Sequence, residues 1–347
     1  MRWDNLSAPP DEGSPDGAAP AAPPLPLALP GAVARTFDTP GFAGMTFYEV
    51  QAKSIINRVP GASRVPFEWT INPYRGCSHA CRYCYARNTH TYLDLDAGAD
   101  FDRKVIVKVN AGELVRRELA APRWRGAHVA MGTNVDCYQR AEGRYHLMPP
   151  IIEALRDFAN PFSILTKGTL LLRDLPLLRQ AAEVTRVGLS YSVGFADEAL
   201  WRAVEPGTPS PRRRLDAVRQ LADAGFEVGV LMAPILPGLS DDEESIDATV
   251  AAIAGSGATG VTPLPLHLRP GAREWYAHWL ARDFPHLVPR YRQLYRSGAY
   301  APQAYQREVT ARVRMAARRH GLHRSEADDN RRVTEPPPTR AEQLTLL

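Results

Sequence analysis

Between residues 66 and 268, short apolar runs alternate with longer stretches in which apolar positions recur every three or four residues. The runs at 67–72, 104–109, 128–133, 162–166, 186–193, 227–234 and 260–266 are β-branched and bounded by turn formers, and they predict strands. Helices are expected between them, at 111–121, 147–158, 171–182, 210–224 and 240–254. In the first, Leu114, Val115, Glu118 and Leu119 fall at helical spacing. The prolines of 147–158 lie in its first turn, where a missing N–H costs little. The last helix opens with Ser240-Asp241-Asp242-Glu243, a capping-box start. The strand runs are continuous instead of alternating, as strands buried on both faces are. Strand, crossover helix and next strand repeat about six times, which predicts an α/β fold: a parallel sheet curled into a partial barrel.

The flanks differ from this core. Residues 1–36 are mostly Pro, Ala, Gly and acidic positions without hydrophobic period, a composition expected to stay disordered. Residues 37–65 read as a lead-in to the core at 66–268. After Arg269 the strands stop, and 269–323 reads as a helical C-terminal extension. Residues 324–347, with Asp328-Asp329-Asn330-Arg331-Arg332 and then Pro336-Pro337-Pro338, read as a second flexible tail.

Composition narrows the function. Hydrophobic residues make up 44% of the 347 and charged residues 23%, values of an ordinary globular chain. No apolar run reaches the ~18 residues of a membrane span. The stretch 18–34 is broken by five prolines and preceded by acidic residues, unlike a secretory signal, so a cytoplasmic protein is expected. A net charge of +4 does not by itself demand a nucleic-acid partner. From Arg269 to Arg324, however, twelve arginines face three acids, with Trp275, Trp279, Tyr291, Tyr295 and Tyr300 among them. Such a region either binds a nucleic-acid strand by phosphate contacts and stacking or caps the barrel with its aromatics. The cap is the preferred reading.

Three of the four cysteines stand within eight residues: Cys77-Ser78-His79-Ala80-Cys81-Arg82-Tyr83-Cys84. They follow the first core strand, in a loop at its C-terminal edge. Arg75, His79, Arg82 and Arg87 interleave with them, which argues against three thiols packed as small hydrophobes. Zinc would need a fourth ligand, His79 or the distant Cys137, and no second C-x-x-C is present. Three thiolates instead suit a 4Fe–4S cluster with one iron left open for a chelating substrate or cofactor.

The spacing Cys77-x3-Cys81-x-Tyr83-Cys84 resembles the defining motif of radical S-adenosylmethionine (SAM) enzymes. The resemblance implies a partial (β/α)6 TIM-type barrel over 66–268, with Cys77, Cys81 and Cys84 holding a 4Fe–4S cluster. It also implies that S-adenosyl-L-methionine chelates the fourth iron and is reductively cleaved to methionine and a 5′-deoxyadenosyl radical. The electron would come from a one-electron reductant such as flavodoxin or ferredoxin. Within that family the chain is most similar to the spore-photoproduct-lyase-like subgroup, often labelled DNA repair photolyases. The stretches that carry this are Asn72-Pro73-Tyr74-Arg75-Gly76-Cys77-x-His79, Tyr83-Cys84-Tyr85-Ala86-Arg87, Asp136-x-Tyr138-Gln139, Ile164-Leu165-Thr166-Lys167 and Ala233-Pro234-Ile235-Leu236-Pro237-Gly238-Leu239. Two departures matter. The lyase's hydrogen-donating cysteine precedes a strand-end Asp, and here Thr133-Asn134-Val135-Asp136 has no thiol. Conversely, Cys137 stands where relatives have proline.

Further candidates cluster at strand ends. Lys167 ends a strand at the mouth where barrel sites sit, and can pair with a carboxylate, for which the resemblance suggests that of the cofactor. Ser190 and Ser192 share one strand face, opposite Tyr191, and are candidates for ribose or carboxylate contacts or simply core serines. Asp136, with Tyr138 and Glu142, follows the third core strand; it is a candidate for the cofactor amine or substrate, or the first residue of a helix. Tyr83 is expected beside the cofactor, and His79 is expected to shape the loop. Cys137 is the spare thiol, inert packing or a hydrogen donor. Glu205-Pro206-Gly207-Thr208-Pro209 reads either as a substrate-facing loop or as a stop between helices. The competing functions are a zinc-containing nucleic-acid-binding protein without catalysis and an electron carrier. A carrier lacks its fourth clustered cysteine and has no use for so large a scaffold.

Overall fold

The computed structural model describes residues 29–60 and 65–322. Its strands, in chain order, are β1 (Val33–Arg35), β2 (Thr46–Val50), β3 (Ile56–Arg58), β4 (Trp69–Ile71), β5 (Tyr74–Arg75) and β6 (Lys104–Lys108). They continue with β7 (Val129–Met131), β8 (Phe162–Thr166), β9 (Val187–Ser192), β10 (Val228–Ile235) and β11 (Gly260–Pro265). The main sheet has the order β11-β10-β9-β8-β7-β4-β3. From β4 to β11 every pairing is parallel, and β3 closes the other edge antiparallel to β4. Six parallel strands in sequence order form the expected partial barrel. One register row runs Ile71, Met131, Ile164, Leu189, Val228, and all five side chains are buried. Parallel pairing in order puts all six C-terminal strand ends at one edge of the sheet.

The run at 104–109 is a strand, but not of the barrel. As β6 it pairs parallel to β2 and antiparallel to β5, in a separate sheet of order β1-β2-β6-β5. Four of its five residues are buried, so its composition matches that of a barrel strand and only its partners distinguish it. The N-terminal boundary also moves. Residues 1–28 lie outside the described residues, but 29–36 are ordered: Leu29 is buried, and β1 pairs antiparallel with β2. The tail expected at 324–347 lies wholly outside the described residues as well.

Helix starts follow local chemistry. The helix expected at 171–182 runs Leu175–Val184, with Pro176 in its first turn, and a 3-10 segment, Thr169–Asp174, precedes it. Ser210 caps Pro211–Asp223 by accepting from the Arg213 N–H. The helix expected at 240–254 begins later, at Glu243, because Asp242 is its cap. Ser240 and Asp241 instead accept from the Leu236 and Gly238 N–H groups of the loop after β10. The helix Glu198–Val204, between β9 and the Arg214 helix, has no counterpart in the sequence pattern.

The C-terminal extension comprises Ala272–Asp283, Val288–Leu294 and Gln303–Arg319. Tyr276, Trp279, Tyr291 and Tyr295 are buried in a second hydrophobic cluster, and the Tyr276 and Tyr291 hydroxyls lie 3.0 Å apart. Its arginines are largely engaged within the chain. Arg312 donates to Glu308 and to the Asp241 carbonyl, Arg319 pairs with Asp247 at 2.9 Å, and Arg282 pairs with Asp283. The preferred cap is what these contacts build. Its anchor is Asp241, a buried carboxylate that accepts from the Gly238 N–H (2.7 Å), Arg290 (2.7 Å) and the Tyr305 hydroxyl (2.9 Å).

Asp241→Ala leaves those donors without their acceptor, and should cost on the order of 3 kcal/mol in urea unfolding. Hydrogen exchange should quicken first in Gln303–Arg319, the helix that Tyr305 and Arg312 fasten.

Candidate active site at the mouth of the parallel sheet

The loop that leaves β4 carries the cysteine motif across the C-terminal edge of the sheet. Cys77 and Cys81 are buried, Cys84 is half-buried, and all three are free thiols. The path into the loop requires Gly76, at φ 82°, where a Cβ would come within 2.7 Å of the Lys104 carbonyl. Beyond it the backbone is held from several segments. The Cys77 N–H donates to the Phe101 carbonyl, and the Arg82 N–H to that of Val204. The Gln139 side-chain amide spans the turn, donating to the Gly76 carbonyl and accepting from the Ser78 N–H. Arg87, fully buried, donates to the Cys81 carbonyl and pairs with Asp102 at 2.7 Å, its guanidinium lying over the rings of Phe101 and Trp275. Gly207 reaches in from the far side, donating to the His79 carbonyl, and a Cβ there would meet the Ser78 carbonyl at 2.0 Å.

Beside the loop lies a charged network that contains three predicted residues, Lys167, Ser192 and Tyr83, and two missed ones, Glu205 and Arg214. Lys167, at the end of β8, donates from Nζ to Ser192 Oγ at 2.6 Å and stands 3.9 Å from Glu205 Oε1. Its ammonium also faces the Tyr83 ring. Glu205 is wholly buried, accepts from the Tyr83 hydroxyl, and pairs with Arg214 at 2.6 Å. Burial pushes its carboxyl up, but Arg214, Lys167 and the Tyr83 hydroxyl outweigh this and hold it below the usual carboxylate range. Arg214, equally buried, also donates to the Ser192 carbonyl at 2.7 Å. One signal for Arg214 was present: it shares the buried stripe of its helix with Ala217, Val218 and Leu221. For Glu205 the sequence offers only a substrate-facing loop or a stop between helices, and nothing in its spacing marks it.

Asp136 is engaged as a bracket. Oδ1 accepts from the Tyr138 N–H (2.9 Å) and the Thr166 hydroxyl (2.6 Å); Oδ2 accepts from the Lys167 N–H (2.6 Å) and lies 3.4 Å from His79 Nδ1. It ties the ends of β7 and β8 to the cysteine loop. Tyr138 donates to Asp174, and Glu142 accepts from Tyr74 and from the Leu147 and Met148 N–H groups, so both brace the scaffold beneath the mouth. Ser190 is buried within β9, in register with Leu165 and Gly229. Cys137 has no accessible surface and belongs to the main core cluster, so a substrate does not reach its thiol in this conformation. At the β11 side the rings of Tyr85, His267 and Tyr300 follow one another at 5.7 and 5.5 Å, with Arg269 over Tyr85 and Tyr300 exposed.

The donor set fits an iron–sulfur cluster. Burial pushes the Cys77 thiol well up, and Asp136, Cys81 and Cys84 push it further, so the three sulfurs share one neighbourhood. Among the described residues no three His, Cys, Asp or Glu side chains gather as ligands of a single metal ion. A cluster asks for no such gathering, since each thiolate takes its own iron. The Ser78 hydroxyl and the Asn72 side-chain carbonyl oxygen, both on this loop, are buried without hydrogen-bond partners.

The family model of the radical SAM superfamily matches residues 71–249. An uncharacterized protein of Mycobacterium tuberculosis is 51% identical over 290 residues, 82% of this chain and 85% of its own. An uncharacterized protein of Methanocaldococcus jannaschii is 30% identical over 203 residues, covering 58% and 72%. Among solved structures, a spore photoproduct lyase complexed with dinucleoside spore photoproduct superposes with a TM-score of 0.59 at 16% identity, over 79% of each chain. A variant of that lyase with bound AdoMet and the same photoproduct gives 0.60 at 17%, over 78% of each. At such identities the likeness is one of fold. The matched family model, spanning the cysteine loop and more than half of the chain, places this protein in the radical SAM superfamily.

Proposed function

We propose that this radical SAM enzyme binds a 4Fe–4S cluster through Cys77, Cys81 and Cys84 and cleaves S-adenosylmethionine there. The observation that carries the reading is the meeting of three free thiols with the Lys167 ammonium at the C-terminal mouth of six parallel strands. When bound, the cluster and cofactor supply one-electron reductive cleavage to methionine and a 5′-deoxyadenosyl radical.

The chain's own groups bind and orient. Lys167 receives the cofactor carboxylate: only one of its three donors is spent at hydrogen-bond distance, on Ser192. Glu205 and Arg214 neutralise each other and hold Tyr83 and Ser192 in place around it. Asp136 and Ser190 position the mouth instead of reaching the cofactor, since Asp136 is spent on three donors of the scaffold. The electron comes from a cytoplasmic one-electron carrier of the flavodoxin or ferredoxin kind. Among the described residues no helix is long and apolar enough to cross a membrane. A nucleic-acid strand as substrate draws on one observation: exposed Tyr300 stacked on His267 beside Arg269 offers a ring face and a cation at the mouth.

Three outcomes test this reading. Anaerobically purified protein should be brown and carry iron, and Cys77→Ala, Cys81→Ala and Cys84→Ala should each lose it while Cys137→Ala keeps it; equal loss in all four would indicate a four-thiolate site. Lys167→Ala should hold its cluster but bind S-adenosylmethionine about tenfold to a hundredfold more weakly, the worth of a charge-assisted hydrogen bond. Equilibrium dialysis measures this, and an unchanged affinity would leave Lys167 a scaffold residue. Finally, the dithionite-reduced enzyme should release methionine and 5′-deoxyadenosine without repairing thymine photoproducts in irradiated DNA. The donor stretch Thr133-Asn134-Val135-Asp136 has no thiol, and Cys137 is sealed in the core. Stoichiometric return of thymine on chromatography would overturn that expectation.

A further inference from the structure

A hydrogen-bond donor lies inside the cysteine motif with nothing to donate to: Ser78 follows Cys77, and its Oγ is buried without a partner. The Ser78 backbone is clamped between the Gln139 side chain and Gly207, so its short side chain has little room to turn elsewhere. Nearly all buried polar groups in folded proteins are satisfied, so an unmet hydroxyl marks the place of an acceptor that is not part of the chain. Arg82, which follows Cys81, is not a second such donor, because the Asp102 and Asp283 carboxylates attract its guanidinium.

We infer that Ser78 Oγ–H donates to a sulfur atom of the cluster, from the segment between the first two cysteines. This is a tuning contact. The reduced cluster carries one more negative charge than the oxidised one, so a donor to its sulfurs favours reduction and raises its potential. The Tyr83 hydroxyl, also within the motif, is spent on Glu205, and His79 Nδ1 faces Asp136.

This inference rests on the cluster proposed above, and the test separates the two. The anaerobic holoenzyme is titrated with redox dyes and followed by electron paramagnetic resonance. A wild type without a 4Fe–4S signal would defeat the proposed function itself. With that signal present, Ser78→Ala should move the midpoint to more negative potential, and Ser78→Thr, which keeps a hydroxyl, should return toward the wild-type value. Should Ser78→Ala load poorly, Ser78→Gly decides in its place. A midpoint unchanged in the variant that loads would show that the hydroxyl faces something other than the cluster.

Discussion

An irregular loop sunk into the end of a parallel sheet has no ladder of its own, yet its backbone groups need partners as much as those of a strand. That constraint governs the cysteine loop, and through it the site. Its amides and carbonyls are met by Phe101, Val204, Gly207, Gln139 and Arg87, drawn from stretches more than a hundred residues apart. Each such bond contributes only about 1 kcal/mol net, but an unmet buried group costs about 1–3 kcal/mol, so the arrangement is protected mainly by the cost of losing a partner. The positions of the three thiols are therefore a property of the whole fold.

The network of Glu205, Arg214, Lys167 and Tyr83 shows how charge is kept at such a place. Replacing a buried ion pair by apolar groups often leaves stability unchanged or raises it, so stability alone does not explain Glu205–Arg214. What the pair does is geometric. Arg214 spends its second branch on the Ser192 carbonyl, which sets the end of β9, and Glu205 spends its second oxygen on Tyr83 in the cysteine motif. With both groups satisfied by each other, Lys167 is left with a single close neutral partner, Ser192, and with the Glu205 carboxylate at 3.9 Å. A cation so placed is held in position without being neutralised by a tight pair.

The core strands and most helices were legible because burial on both faces leaves continuous apolar runs, and because a residue such as Ser210 marks a helix start by local chemistry alone. Strand 104–109 was found but misplaced: Val105, Ile106 and Val107 are as buried as any barrel strand, and partner choice is not written in composition. The cysteines and Lys167 stand out in the sequence because each follows a strand directly. Glu205, Gln139 and the ring series through His267 do not. Each acts across the mouth, meeting partners that only the closed fold brings near. Asp136 stands out by its place after a strand, while its hydrogen bonds to Tyr138, Thr166 and Lys167 become visible only in the fold.

The open side of the partial barrel has its own logic. β11 pairs only with β10, so its outer edge would invite another strand, but Pro263 and Pro265 remove donors from it. The C-terminal extension then covers this side, held by Asp241 through Arg290 and Tyr305 and by the bridge between His267 and Tyr300. Of the arginines that composition alone offers as a surface for phosphates, Arg290, Arg312 and Arg319 are spent on that fastening. At the mouth itself stand an exposed tyrosine, a stacked histidine and Arg269, next to the residue that follows Cys84. The element that closes the barrel thus also shapes the approach to the thiols.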